Sequence, residues 1–374
     1  MHVVLLKSRA ANHGGLEKAA SRIATAFVER GEEVSILTTG APPTHPFIHF
    51  HSTYPSSWPA FLRMEQFDRF TRHWLQKNKA DLVFGMDRNR YQTHIRAGNG
   101  VHAAYLKSRI FTEGRLKYLT CLCNPLHQKI LQLEKEAFEY PGLRKLFTNS
   151  QMVKDQILDR FSTDPAKIQV IHNGVEWREM EHDFATWSEA KPRHCQALGL
   201  DPHFFQLLFI GNGYLRKGLD RLLEGLAHLS RKDIQLSIIG KDNHQGVYEA
   251  KAEQLGLSKQ VRFFGSRSDI RSFYQVVDAL AIPSFYDPFA NVTVEALAMG
   301  LFVISSKQNG GSEILTPDNG TIIEDLLSRE AMALALEQAI SRPKTDERAT
   351  HIRQSVEHLD FSYQLNTLLE ACYV

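Results

Sequence analysis

The stretch VVDALAIPSFYDPFANVTVEALAMGLFVISS, residues 276–306, holds two apolar runs with a loop and a helical pattern between them. The runs VVDALAIPS and LFVISS are short and nearly continuous, as strands covered on both faces of a sheet must be. A strand, a crossover helix and a second parallel strand form the repeating unit of a wound α/β sheet. Packing between two buried strands requires neither Asp287 nor Glu295, yet both stand in this connection. Asn291 is placed to cap the helix that carries Glu295. One turn beyond that cap, Glu295 lies roughly 6 Å along the helix axis. Asp287, in the turn, can face whatever sits over the helix amino terminus, where a carboxylate binds hydroxyls through charge-assisted hydrogen bonds. Either residue taken alone also reads as an ordinary surface acid.

The same alternation extends in both directions. HVVLLKS begins the chain as a strand, and GLEKAASRIATAFVERG reads as a helix ending at Gly31. EVSILTT, ADLVFGMD, KLFTNS and IQVIHNG continue the series to about residue 174. The stretch 175–203 is polar, aromatic and unpatterned, as expected of a connector. A second series follows in FQLLFIG, IQLSIIG, VRFFG, ALAIPS and LFVISS. A last helical stretch, 357–374, shows apolar spacing through Leu359, Tyr363, Leu368 and Leu369 and can pack on either domain. The expected organisation is a Rossmann-like domain at 1–173, a second at 174–356, and the helix 357–374 crossing back to the first. Ligands bind at the carboxyl edges of such sheets, which predicts a cleft between the two domains.

At 374 residues the chain suits two domains, and its near-neutral net charge of +2 gives no general affinity for nucleic acid. No apolar run is long enough to span a membrane, and the opening apolar run is too short for a signal peptide. Cys121, Cys123, Cys195 and Cys372 show no zinc spacing and read as small buried thiols of a reducing cytoplasm. The sequence also lacks a D-x-D acidic cluster to hold a divalent metal.

Two strand-to-helix turns offer anion chemistry. In ANHGGLEKAA, Gly14 and Gly15 let the backbone approach a ligand at the amino terminus of the first helix. The G-x-G-x-x-G spacing of a dinucleotide site is missing, and a purely structural Gly pair is the plainer alternative. In LLFIGNGYLRKGLDRLL, Arg216 and Lys217 precede a helix that begins near Gly218. A cation pair beside helix-terminal amides suits a diphosphate. The loop is not a Walker motif, because Leu219 follows Gly218, and solvated charge is the alternative.

HGGLEK, IGNGYLRKGLDRLL and YDPFANVTVEALAMG together resemble the retaining glycosyltransferases of family 4, which have the GT-B fold of two Rossmann-like, doubly wound domains facing a central cleft. VIHNGVE, FFGSRSDIRSFYQVVDALAIPS and NGGSEIL are similar to further segments of that family. The resemblance implies a donor site in which Glu295 binds the ribose hydroxyls of the nucleotide. It implies that Asp287, at the place of the family's first Glu in E-x7-E, holds the donor sugar. It assigns the diphosphate to Gly14, Gly15, Arg216 and Lys217, with the amides of Asn291, Val292 and Thr293. His102, in GNGVHAAYLKSR, resembles the amino-domain His beside the donor sugar, so His102, Lys217 and Asp287 are the expected catalytic residues. Three positions depart from the family: Asp287 for Glu, Ala290 for Gly, and Asn212 for a frequent Arg.

The wording of AGNGVHAAYL and YDPFANVTVEALA is most like the lipopolysaccharide-core hexosyltransferases. That likeness implies transfer of a hexose, glucose favoured, from a UDP-sugar to a lipid-linked or lipopolysaccharide-core acceptor, with no cofactor and no divalent metal. Residues 102 to 135 hold six Lys or Arg against two Glu, interleaved with aromatic and aliphatic side chains. Such a segment, like the stretch 61–79, can lie on an anionic bilayer or simply cover the first sheet. The implied location is the cytoplasm, with a peripheral place on the inner face of the membrane. Rival readings are a sugar-nucleotide epimerase of the same architecture and a nucleotide-sugar-binding protein without catalysis.

Overall fold

Apolar strands without alternation demand helices on both faces, and the structure, a computed structural model, supplies them. It describes residues 1–8, 15–55 and 59–373, without the side chains of 15–18. The chain forms two compact α/β units, Met1–His172 with Gln364–Val374, and Asn173–Tyr363.

The first unit contains β1 (His2–Leu6), β2 (Glu33–Thr39), β3 (Ile48–Thr53), β4 (Leu82–Gly85), β5 (His94–Arg96), β6 (Lys145–Thr148) and β7 (Ile168–Val170). They pair, all parallel, in the order β3-β2-β1-β4-β5-β6-β7. The second contains β8 (Phe205–Ile210), β9 (Ile234–Ile239), β10 (Val261–Gly265), β11 (Ala279–Ile282), β12 (Phe302–Ser306) and β13 (Gly320–Ile323). Their order, β10-β9-β8-β11-β12-β13, is again wholly parallel. Both sheets thus follow the Rossmann order, which reverses direction beside its first strand and opens a crevice at the carboxyl edge there.

Four helices of the first unit bear on function: α1 (Gly15–Glu29), α2 (Ala60–Lys77), α3 (His102–Leu122) and α4 (Pro125–Phe138). α2, the 61–79 segment, covers the sheet, packing Phe70, Trp74 and Leu75 on Val4, Leu6, Leu37 and Val83. Its buried Asp68 holds the Arg90 guanidinium at 2.5 Å, so the charge on this helix is partly internal. α3 is different. Gly114, at φ 85°, breaks it, and Phe111, Leu116 and Leu119 beside the break are 58%, 81% and 55% exposed.

The expected connector at 175–203 is instead structured. Met180, Cys195 and Leu200 are buried in a core with Phe273, Leu280 and Leu297, and Trp187–Leu198 is a helix that also buries Trp187 and Ala190. Its buried face is built from Trp, Ala and Cys at helical spacing, too weakly apolar to stand out among charged neighbours. The final helix is Phe361–Cys372. Leu359 belongs to the second unit's core, whereas Leu368, Leu369 and Cys372 pack with Val3, Leu5 and Phe27 of the first. Tyr363 is not on the buried face: the Arg178 guanidinium lies over its ring at 5.2 Å. The cysteines are free thiols; Cys121, Cys195 and Cys372 are buried, but Cys123 is exposed, against expectation.

Candidate active site

Beyond β8 the chain must turn within a few residues, and glycine makes that turn possible. Gly218 has φ 78°, and a Cβ there would stand 1.9 Å from the Pro283 carbonyl oxygen at the end of β11. Only glycine accepts both conditions. This contact brings the one-turn helix Tyr214–Lys217 against the loop after β11, where Phe285 N–H donates to the Arg216 carbonyl at 2.8 Å. The stem of Lys217 lies over Gly211, whose added Cβ would meet Cγ at 2.9 Å. Asn212, where the family often has Arg, accepts from Lys241 N–H at 2.7 Å and ties the β8 and β9 loops together.

The outcome is a charge cluster in which Lys217 and Asp287 are buried and Arg216 is half-buried. Lys217 Nζ donates to Asp287 Oδ2 at 2.6 Å, and Arg216 Nη1 donates to the same oxygen at 3.2 Å and to the Tyr286 carbonyl at 2.9 Å. Asp287 Oδ1 accepts from Phe289 N–H at 3.2 Å. Burial alone would raise the Asp287 carboxyl, but Lys217 and Arg216 outweigh it and hold the group below the ordinary range. The opposing cost falls on Lys217, whose ammonium is pulled down by burial while Asp287 resists. Sequence reading paired Asp287 with a sugar; the fold seats it first on the two cations.

The helix Asn291–Ala298 starts one residue earlier than a cap at Asn291 would require. Ala290 is the N-cap and makes no side-chain cap hydrogen bond; Asn309 holds its backbone instead. The buried Asn309 accepts through Oδ1 from Ala290 N–H (3.0 Å) and Gly311 N–H (3.1 Å), and donates to Ser305 Oγ at 2.9 Å. Asn291 accepts instead from Asn173 Nδ2 at 2.7 Å. Thr293 is turned inward, its N–H on the Ala290 carbonyl at 2.9 Å and its hydroxyl beside Asn309. The N–H groups of Asn291 and Val292 are therefore the donors at this helix end. Glu295, one turn on, accepts from the Tyr274 hydroxyl at 2.7 Å. Tyr274 is fully buried; burial, and then Glu295 itself, push its phenol well above the ordinary value, so it stays a donor. Asn309 and Tyr274 went unassigned in the sequence, although a Tyr inside an apolar helix signals a need for a hydrogen-bond partner.

In the first unit, His102 opens α3 beyond the carboxyl end of β5. Val101 gives no side-chain cap, and the buried Glu134 of α4 fills that role, its two oxygens 3.1 and 2.9 Å from His102 N–H. Arg88 Nε holds Glu134 in turn at 3.1 Å. Burial, then Arg88, His127 and Arg109, push the His102 imidazole down to about 3. Gly15 is the first residue of α1, and Gly14 lies outside the described residues. Arg216, Lys217, Asp287, Asn291, Val292, Thr293 and Glu295 thus gather at the carboxyl edge of the second sheet, and His102 stands at that of the first. Among the described residues no group of three or more His, Cys, Asp or Glu is placed to hold a metal, and no helix is long and apolar enough to cross a membrane.

Comparison with known proteins agrees with this fold. Residues 13–177 match the family model described as Glycosyltransferase Family 4, and residues 191–355 match that of Glycosyl transferases group 1. The chain is 25% identical to the lipopolysaccharide glucosyltransferase WaaG of Escherichia coli K12 over 341 residues, 88% of this chain and 87% of the relative. It is 28% identical over 320 residues to the glycosyltransferase MJ1607 of Methanocaldococcus jannaschii, 81% of this chain and 79% of the relative. A crystal structure of WaaG shares the fold at TM-score 0.80 and 22% identity, covering 98% of each chain. Anabaena HepE, solved with UDP and glucose, shares it at TM-score 0.71 and 16% identity over 99% of each chain.

The buried histidines give the first unit a defined acid response. Burial also lowers His94, to about 4, with Arg144 and Lys145 adding to it. Both rings stay neutral in the fold, while the unfolded chain takes up these protons near the ordinary value of 6.5. Below that pH the unfolded state binds more protons, so stability falls as pH drops from 6.5 towards 4. Urea unfolding followed from about pH 7 to about pH 5 should show this loss, and His94→Gln should reduce its slope.

Proposed function

Because the chain is a glycosyltransferase of the GT-B type, similar to the lipopolysaccharide-core hexosyltransferases, we propose that it moves a hexose, glucose favoured, from a UDP-sugar to a lipopolysaccharide-core or other lipid-linked acceptor, with retention and without a divalent metal. The observation that carries this reading is the Arg216–Lys217 pair, seated on the buried Asp287 beside the amino end of the 291–298 helix. Support for the substrates comes from the lipopolysaccharide glucosyltransferase WaaG, a relative of this chain, and from the UDP and glucose held by HepE.

In this reading the C1–oxygen bond to the diphosphate breaks and negative charge grows on the leaving group. Lys217, Arg216 and the amides of Asn291 and Val292 meet that charge, each well-placed donor contributing ~3 kcal/mol in a site where it is already oriented. Asp287 fixes both cations and turns its remaining acceptor capacity to the sugar hydroxyls. Glu295, steadied by Tyr274, accepts from the ribose hydroxyls, and His102 is assigned to a hydroxyl of the hexose. The acceptor oxygen bonds to C1 on the face the phosphate leaves, and its proton passes to the departing phosphate oxygen. Retention follows with no covalent enzyme intermediate.

The acceptor would reach the enzyme at a bilayer. Exposed Phe111, Leu116 and Leu119 stand among exposed Lys107, Arg115 and Lys117, so α3 offers apolar wedges and cations together, each cation near an anionic surface adding about 1 kcal/mol. In this reading the enzyme works at the cytoplasmic face of the membrane.

Lys217→Ala should reduce transfer from UDP-glucose by roughly 100-fold or more, while excess EDTA leaves the unaltered chain at full rate. Near-normal turnover in the variant would remove the phosphate role, and loss of activity in EDTA would remove metal independence. Anionic liposomes should sediment the protein at low salt and release it at high salt; failure to sediment would confine α3 to the packing of the first unit.

A further inference from the structure

His102 is gripped twice by α4. Asn124 accepts from Leu126 N–H at 2.9 Å and Pro125 opens the helix, which sets His127 in its first turn. Glu134 lies seven positions further along, two turns away on the same face. From there Glu134 takes the backbone N–H of His102, and His127 takes its ring: His102 Nε2 and His127 Nδ1 are 3.0 Å apart, with the ring planes inclined at 35°.

One proton lies between those two nitrogens, and its owner decides what His102 presents elsewhere. Burial keeps His102 neutral at ordinary pH, and burial followed by Arg109 lowers His127 as well. Two neutral imidazoles in this contact have two arrangements. If His127 Nδ1–H donates, both rings must take the Nδ1–H form. If His102 Nε2–H donates, both take the Nε2–H form, the one free histidine side chains favour. The second arrangement leaves His102 Nδ1 a bare lone pair. No hydrogen-bond partner of Nδ1 is found among the described residues.

We propose that His127 is a positioning residue: by accepting from His102 Nε2–H it fixes the ring and its tautomer, so that His102 Nδ1 accepts a hydrogen bond from a sugar hydroxyl. The proposal rests on the assignment of His102 to the donor sugar. It makes the ring an acceptor, and so selects a donor whose hydroxyl can give its proton. Nothing in the sequence pairs these two histidines, which stand 25 residues apart on two helices.

Nitrogen-15 spectra of the histidine side chains of the intact chain test it first. His102 should show a protonated Nε2 and an unprotonated Nδ1; a protonated Nδ1 would overturn the proposal. His127→Phe keeps a ring but removes the acceptor. It should give mixed tautomers at His102 and lower kcat for transfer from UDP-glucose to a lipopolysaccharide-core oligosaccharide by roughly 10- to 100-fold, with the donor KM within about two-fold. His127→Asn sets an amide oxygen near the lost Nδ1 and should recover both the single tautomer and most of the rate. It also separates positioning from packing if the Phe variant folds poorly. Unchanged kcat and tautomer in His127→Phe would overturn the role of His127. Full turnover in His102→Ala would overturn the underlying assignment instead, and that result is distinguishable because the spectra do not depend on activity.

Discussion

An ammonium and a carboxylate buried 2.6 Å apart, Lys217 on Asp287, organise the carboxyl edge of the second unit. Taking two charges out of water is expensive, and their attraction repays it only when further hydrogen bonds complete the shell. Here Arg216 and the Phe289 amide complete it. A buried pair of this kind stabilises a fold weakly compared with apolar residues of equal volume; what it does here is hold Lys217 and Arg216 in fixed positions. Gly218 belongs to the same device, since a larger residue would push the Arg-Lys loop away from Pro283 and from Asp287.

The two sheets share strand order but equip their carboxyl edges differently. In the second, charges and helix-terminal amides converge: Asn309 fixes the start of the 291–298 helix, and Tyr274 fixes Glu295. In the first, the corresponding edge carries a neutral imidazole tied to a buried carboxylate–guanidinium pair. A charged edge suits a leaving diphosphate. A neutral imidazole suits hydroxyls, which carry no charge and are distinguished only by the direction of their hydrogen bonds.

Much of this was legible in the sequence, for physical reasons. Buried parallel strands are near-continuous apolar runs, so β1, β2, β4, β6 and all but the last strand of the second sheet stand out. β3, β5 and β13 do not: IHFHST buries only Ile48, HIR is three residues long, and GTII is half polar. The helix at 187–198 hid because its buried face is small and interrupted by Lys191, Pro192 and Arg193. Among site residues, those in a local strand–turn–helix pattern could be read, as Arg216, Lys217 and Glu295 were. Partners brought from elsewhere could not. Asn309 holds the Ala290 N–H at the start of the 291–298 helix from 19 residues away, Tyr274 reaches Glu295 across 21, and Glu134 reaches His102 across 32. Local spacing carries no record of such contacts.

The central claim is that side chains and main-chain amides of the second unit grip a diphosphate without a metal ion. Calorimetric titration of the intact chain with UDP and with UMP, both in EDTA, tests it most directly. Two charge-assisted contacts to the second phosphate predict that UDP binds at least about ten-fold tighter than UMP, and that Lys217→Ala erases most of the difference. Equal affinity for the two nucleotides, or tight UDP binding that appears only when a divalent ion is restored, would contradict the account.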